Sequence, residues 1–220
     1  MKIGITGDTH GDKDFKQIYK AKKMGFTHII IAGDFSYIWD NSFKENKRLD
    51  FLNKIGITIL FIDGNHENHP LLNTYEVIDI FNGKAHKIRE NIIHLTRGQI
   101  YNINNKRIFT FGGADSIDKL FRKKCKTWWA EEMPTKEEME IGINNLKKNN
   151  YEVDYIITHT CSIDGLLMVN GLPIINQLVK YFNFINKQVS FKHWYFGHFH
   201  KDITSQKLKM TCIYNNIIEI

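Results

Sequence analysis

Five short stretches of this chain each follow an apolar run with residues that bind divalent metals. They are Asp8-Thr9-His10, Gly33-Asp34, Gly64-Asn65-His66-Glu67, Thr158-His159 and Gly197-His198-Phe199-His200. Carboxylate, amide oxygen and imidazole donors together suit Mn²⁺, Fe²⁺ or Zn²⁺, whereas a thiolate site needs clustered cysteines. Here Cys125, Cys161 and Cys212 are far apart, and Cys161, two residues after His159, reads as a buried structural thiol. A pair of ions about 3.5–4 Å apart requires a carboxylate that bridges them, a part that falls to Asp34. Such a pair lowers the pKa of a bridging water and neutralises phosphoryl oxygens, which is the chemistry of phosphate-ester hydrolysis.

The elements that must position these donors are short strands. Residues 3–5, 28–31, 57–62, 155–157 and 194–196 are rich in β-branched and aromatic side chains and run into Gly or polar residues, as buried strands do. Each donor falls just beyond a strand's C-terminal end, where ligands collect in open α/β sheets. Between them, 12–24 predicts a helix with Phe15, Ile18 and Tyr19 on one face. Residues 42–55 predict another, opened by a capping box of Ser42 and Glu45 and carrying Leu49, Leu52 and Ile55. A third, 135–149, has a Thr135/Glu138 box with Met139, Ile143 and Leu146 inward, so its acidic cluster is a helix start and not a second metal site. Residues 99–103 and 107–111 around Asn104-Asn105 predict a hairpin, and 201–220 antiparallel strands. The expectation is two mixed sheets faced by helices. Residues 1–220 form one domain in this reading, because the donors span both halves and neither half could hold the site alone.

The ordered motifs D-x-H, G-D, G-N-H-E, a lone His and G-H-x-H, spanning residues 8–200, resemble the calcineurin-like metallophosphoesterases. Singly, Asp8, Asp34 and Asn65 suit strand-to-helix turns and the histidines suit core packing; as an ordered set they do not. The resemblance implies a four-layer α/β/β/α sandwich. It further implies one ion held by Asp8, His10, Asp34 and His200 and a second by Asp34, Asn65, His159 and His198. His66 then lies outside the ligand set, donating a proton to the leaving alkoxide or positioning the phosphate. The implied activity is metal-dependent hydrolysis of a phosphate mono- or diester through a dinuclear centre with metal-activated hydroxide. Asp34 and His66 are its catalytic residues, and Asn65, His66 and Arg122 are placed at the substrate. Manganese is the first choice of metal, with iron, zinc or nickel as alternatives.

The chain departs from the serine/threonine phosphoprotein phosphatases, which continue G-D with x-x-D-R-G. Here the stretch reads Phe35-Ser36-Tyr37-Ile38-Trp39, so the acidic partner of the catalytic histidine and the phosphate-binding arginine are both missing. Asp63 and Asp40 are the remaining candidates to orient His66. A phosphoprotein phosphatase-like enzyme and a non-catalytic metal-binding scaffold are the competing readings; the scaffold is disfavoured because every donor and His66 are present. His28, His69, His86, His94 and His193 match no motif.

Residues 114–132 interleave Lys119, Arg122, Lys123, Lys124 and Lys126 with Trp128 and Trp129. The stretch reads either as a lid whose Arg122 takes a substrate phosphate bidentately or as a solvated basic loop anchored by two core tryptophans. A formal net charge of +6 favours anionic partners, namely a phosphorylated small molecule, nucleotide or phosphoprotein. Nucleic acid is not indicated, since the basic run is confined to one loop. The chain enters a strand at once and has no apolar run of membrane-spanning length, which predicts a cytoplasmic protein with no membrane partner.

Overall fold

Side chains alternate across each buried strand, and the alternation sorts them among three apolar clusters. In β1 (Ile3–Thr6), Ile3 and Ile5 face an inner cluster; in β2 (His28–Ile31), Ile30 joins it while Ile29 and Ile31 face outward. In β3 (Thr58–Phe61), Leu60 points inward and Ile59 and Phe61 outward. The outward set packs under α1 (Asp14–Lys23) through Ile18 and Ala21, and under α2 (Phe43–Asn53) through Leu49 and Leu52. The computed structural model describes residues 1–11, 14–170 and 174–220.

After α3 (His69–Leu72), the chain adds β4 (Glu76–Ile80), β5 (Gly83–Arg89) and β6 (Ile92–Leu95) to this sheet. The second sheet is built from β7 (Gln99–Ile103), β8 (Lys106–Phe111), β9 (Tyr155–Thr158), β10 (His193–Phe196), β11 (Ile203–Ser205) and β12 (Met210–Cys212). The last strand, β13 (Ile218–Glu219), crosses back to pair antiparallel with β1. Among the described residues the orders are β13-β1-β2-β3-β6-β5-β4 and β11-β12-β10-β9-β8-β7. In the second sheet Ile108, Ile157 and Tyr195 point to the inner cluster, and Phe109, Ile156, Trp194 and Phe196 point out. The outward face carries α4 (Lys136–Lys148), α5 (Ile163–Met168) and α6 (Gln177–Gln188), through Met139, Leu146, Leu166, Phe182 and Ile185. The result is helices, sheet, sheet, helices: the four-layer sandwich with two mixed sheets that the sequence implied.

Strands β1, β2, β3 and β6 are mutually parallel, as are β8, β9, β10 and β12. Each sheet therefore sends a set of C-terminal ends to one edge, and the donor loops leave from there. The Asn104-Asn105 turn joins β7 to β8 with both residues at positive φ, the geometry of a two-residue hairpin turn. No helix among the described residues is long and apolar enough to cross a membrane.

Several expectations need correction. Asp12, and the Phe15 side chain of the predicted face, lie outside the described residues; Tyr19 on that face is solvent-exposed. Ser42 caps α2 by accepting from Glu45 N, but the reciprocal half of the predicted box is absent. The buried Glu45 carboxyl instead accepts from the backbone of Trp39, Asp40 and Asn41, tying α2 to the loop that follows Asp34. The box on α4 is complete. Within 201–220, β11 and β12 pair antiparallel as expected, whereas β13 leaves them to pair with β1 in the other sheet.

Candidate metal centre

The loop after β1 carries Asp8 and His10, and the loop after β2 carries Asp34. The loop after β3 carries Asn65 and His66. His159 directly follows β9, and His198 and His200 follow β10. The two sheets thus contribute from facing edges, and the donors meet. His10 Nε2 lies 3.8 Å from Asp34 Oδ2 and 2.9 Å from His200 Nε2, while His200 Nε2 is 3.1 Å from Asp8 Oδ2. His159 Nε2 is 3.3 Å from Asp34 Oδ1 and 3.1 Å from Asn65 Oδ1. Three groupings among the described residues could hold a metal ion: Asp8, His10 and His200; His10, Asp34 and His66; and Asp8, Asp34 and His159. His198 joins none of these, although its ring centroid is 5.0 Å from that of His159.

The backbone is bent to achieve this. His10, Asp34, His198 and His200 all adopt positive φ. Each such non-glycine residue costs about 1–3 kcal/mol, and strain of this kind gathers at functional sites. Glycines let the loops close on one another. A Cβ on Gly64 would sit 2.1 Å from Asp34 Oδ1, one on Gly33 2.1 Å from His159 Nδ1, and one on Gly197 2.2 Å from Asp8 Oδ1. Backbone amides hold the carboxyls in place: His198 N donates to Asp8 Oδ1 at 2.9 Å, and His66 N to Asp34 Oδ1 at 2.8 Å.

Hydrogen bonds around the donors choose which atoms face inward. His159 Nδ1 donates to the Ala32 carbonyl at 2.9 Å, leaving Nε2 for the centre, the arrangement typical of a metal-bound imidazole. Asn65 Nδ2 donates to Ser116 Oγ at 3.0 Å, which turns Oδ1 toward His159. Lone pairs of Nε2, the amide oxygen and the Asp34 carboxylate then converge, an arrangement that calls for a cation among them. The same demand shows in the titration behaviour without one. Burial works against ionisation of Asp34, yet His159 by charge and hydrogen bond, with His66 and His10, holds its carboxyl far below the usual range. Burial opposes a charge on His159, yet Asp34 and Asp8 raise it to about 10. Burial, with His159 beside it, takes His198 down to about 4. The donor set fits a divalent metal centre.

His66 stands edge-on to His10, with ring centroids 5.0 Å apart. Neither predicted orienting group reaches it. Asp40 accepts from Ser42 N, and Asp63 is taken up by Arg97 at 2.6 Å and His94 at 3.2 Å. Instead Arg122 Nη2 meets His66 Nδ1 at 2.8 Å, while Arg122 Nη1 donates to Ser116 Oγ at 2.8 Å and to the Asn65 carbonyl at 3.3 Å. A guanidinium only donates, so His66 Nδ1 accepts and the ring hydrogen is on Nε2. Burial lowers the His66 pKa, and Arg122 adds to this against Asp34.

The 114–132 segment combines features of both its readings. Trp129 is buried against Trp39, with ring centroids 5.4 Å apart, and Lys123, Lys124 and Lys126 are exposed. Its Arg122 nonetheless reaches the centre. Ser116 and the buried Glu132 went unnoticed in the sequence. Glu132 accepts from both the Ser116 amide and hydroxyl, completing a chain from Glu132 through Ser116 to Asn65. Nothing local marks a serine in a basic loop for this role. Glu67, the last residue of the G-N-H-E motif, is wholly buried and accepts from Ser36 N at 2.9 Å and Gly64 N at 2.8 Å. Burial, together with Asp34, pushes its carboxyl above the usual range while it braces two donor loops.

A family model described as calcineurin-like phosphoesterase matches residues 1–202. No curated protein matches the chain.

Proposed function

The chain belongs to the calcineurin-like phosphoesterase family, and on that premise we propose that it hydrolyses phosphate mono- or diesters at a dinuclear metal centre. The observation that carries the reading is that Asn65 Oδ1 and Asp34 Oδ1 lie 3.1 and 3.3 Å from His159 Nε2, while His159 Nδ1 and Asn65 Nδ2 are engaged elsewhere. Asp8, His10, Asp34 and His200 would hold one ion, and Asp34, Asn65, His159 and His198 the other, with Asp34 between them. Manganese, iron, zinc and nickel all suit this mixed donor set. Divalent ions held there supply a nucleophile at neutral pH and neutralise the phosphoryl oxygens.

The chain's own residues do the rest. Asp34 and Asp8 set the charge of the centre, and the backbone amides that fix them keep it from reorganising during the reaction. His66, neutral with its hydrogen on Nε2, acts as a fixed hydrogen-bond donor to an oxygen of the phosphoryl group. This favours the positioning role over proton donation, because a ring beside Arg122 is a poor place for a second positive charge. Arg122 orients His66 and adds positive charge at the phosphate. Donors from both sheets are required, which supports residues 1–220 acting as one domain. The test is metal-stripped protein assayed with added manganese, iron, zinc or nickel against phosphomonoesters, linear and cyclic phosphodiesters, nucleotides and phosphopeptides. Metal-dependent release from at least one class is expected; no turnover of any ester with any metal rejects the reading.

A further inference from the structure

Two recesses open beside the centre, and they differ in kind. One, of about 200 Å³, is lined by His10, Ser36, Arg48 and His66, with Gly11 and Trp39. The other, of about 310 Å³, begins at His198 and Ser116 and extends between the 115–120 loop and the second-sheet helices. Its apolar walls are Ile117, Leu120, Leu166, Ile174, Val179 and Phe199, with Thr160 and Asn176 as polar side chains among them. The charged pair in that lining, Asp115 and Lys119, closes on itself at 2.8 Å. A charged group entering there would give up water without finding a free partner of opposite charge.

The rim of the second recess is unusually apolar for a surface. Ile117 is 86% and Leu120 90% exposed, and Ile174, also in its lining, is 57% exposed. Such a cluster in water marks a binding surface. Its continuity with the centre says what covers it, because His198 belongs both to the recess and to the proposed donor set. The volume is at the lower end of that of small-molecule pockets.

We propose that this recess holds the organic group of the substrate, and that the substrate class is phosphoesters whose organic group is an apolar alkyl chain or aryl ring. The inference rests on the phosphoesterase reading and narrows it. Phosphate sits at the centre, the apolar group lies past His198 against Leu166, Val179 and Phe199, and Ile117 and Leu120 cover it from the loop. Sugar, nucleotide and peptide groups, rich in polar atoms, gain less there, since Thr160 and Asn176 can satisfy only a few of them.

The experiment uses non-hydrolysable phosphonates, so that binding is read apart from turnover. Methyl-, butyl- and octylphosphonate, below their aggregation range, and a dihydroxypropyl phosphonate are titrated calorimetrically into manganese-loaded full-length protein. Affinity is expected to rise about fourfold for each methylene that enters the recess and to level off once it is filled. The dihydroxypropyl compound should gain almost nothing over methyl. The double variant Ile117→Ser/Leu120→Ser, altered only at exposed positions, should compress the octyl-to-methyl ratio. Phosphonates that all bind with one affinity overturn the proposal and leave the phosphoesterase reading standing. A chain-length gain that the double variant does not reduce overturns the assignment to this recess. No phosphonate binding at any chain length overturns both.

Discussion

Asn65 Nδ2 donates to Ser116 Oγ at 3.0 Å, and this bond decides that the oxygen end of the Asn65 amide faces His159. Ser116 is in turn held by the buried Glu132, to which its hydroxyl donates. Outer hydrogen bonds of this type typically contribute 10–100-fold to metal affinity. Ser116→Ala should therefore weaken binding of the ion at the Asn65 side by about tenfold, with the other ion less affected. Metal competition titrations decide it; two unchanged affinities would mean that the amide is held without Ser116.

Asp34 lies between the two proposed ion positions, 3.8 Å from His10 Nε2 through one oxygen and 3.3 Å from His159 Nε2 through the other. Replacing it with Asn keeps the shape and removes the charge. Asp34→Asn should lose both ions, whereas His200→Ala should retain the one on the Asn65 side. Elemental analysis after desalting reads the stoichiometry, and two ions retained by Asp34→Asn would remove it from the bridging position.

His66 and Arg122 should act as a unit, because the guanidinium donates to the imidazole at 2.8 Å. Removing one fixed donor to a developing charge costs about 10²–10³-fold in kcat. His66→Ala should lose that much on alkyl and aryl esters alike and keep its metals. The double change with Arg122→Ala should fall well short of the product of the single losses, since coupled residues are non-additive. A loss confined to alkyl esters would restore proton donation by His66, and strict additivity would separate Arg122 from it.

Away from the centre, His86 Nδ1 lies 3.0 Å from His94 Nδ1, and His94 Nε2 lies 3.2 Å from Asp63. Burial, with His94 adding to it against Asp63, lowers His86 to about 4. The folded protein therefore binds fewer protons than the unfolded chain between about pH 6.5 and 4. Stability from this residue is complete above the upper limit and is lost as pH falls toward the lower one. The shift corresponds to about 3 kcal/mol, which solvent screening at this partly open site reduces to about 2 kcal/mol. Urea unfolding at stepped pH should show His86→Asn with a flatter acid limb than the parent; parallel curves would exclude His86 as the source.

The sequence alone determined the donor order, the strands that carry it and hence the family. Those signals are local: a donor within a few residues of a strand end needs only a few covalent bonds to place it, and the apolar runs of β2 and β3 are written in consecutive residues. The capping of α4 by Thr135 was legible for the same reason. What only the tertiary structure decided is which atoms those donors present and who holds them. Strands β4, β5 and β6 went unread, and the partner of His66 proved to be Arg122, 56 residues away, not Asp63 or Asp40. Asn65 and Ser116 are 51 residues apart and belong to loops that meet only after two sheets have packed. No local pattern encodes such a meeting, because a hydrogen bond between distant side chains depends on where packing brings the loops and not on the residues beside either partner in the chain.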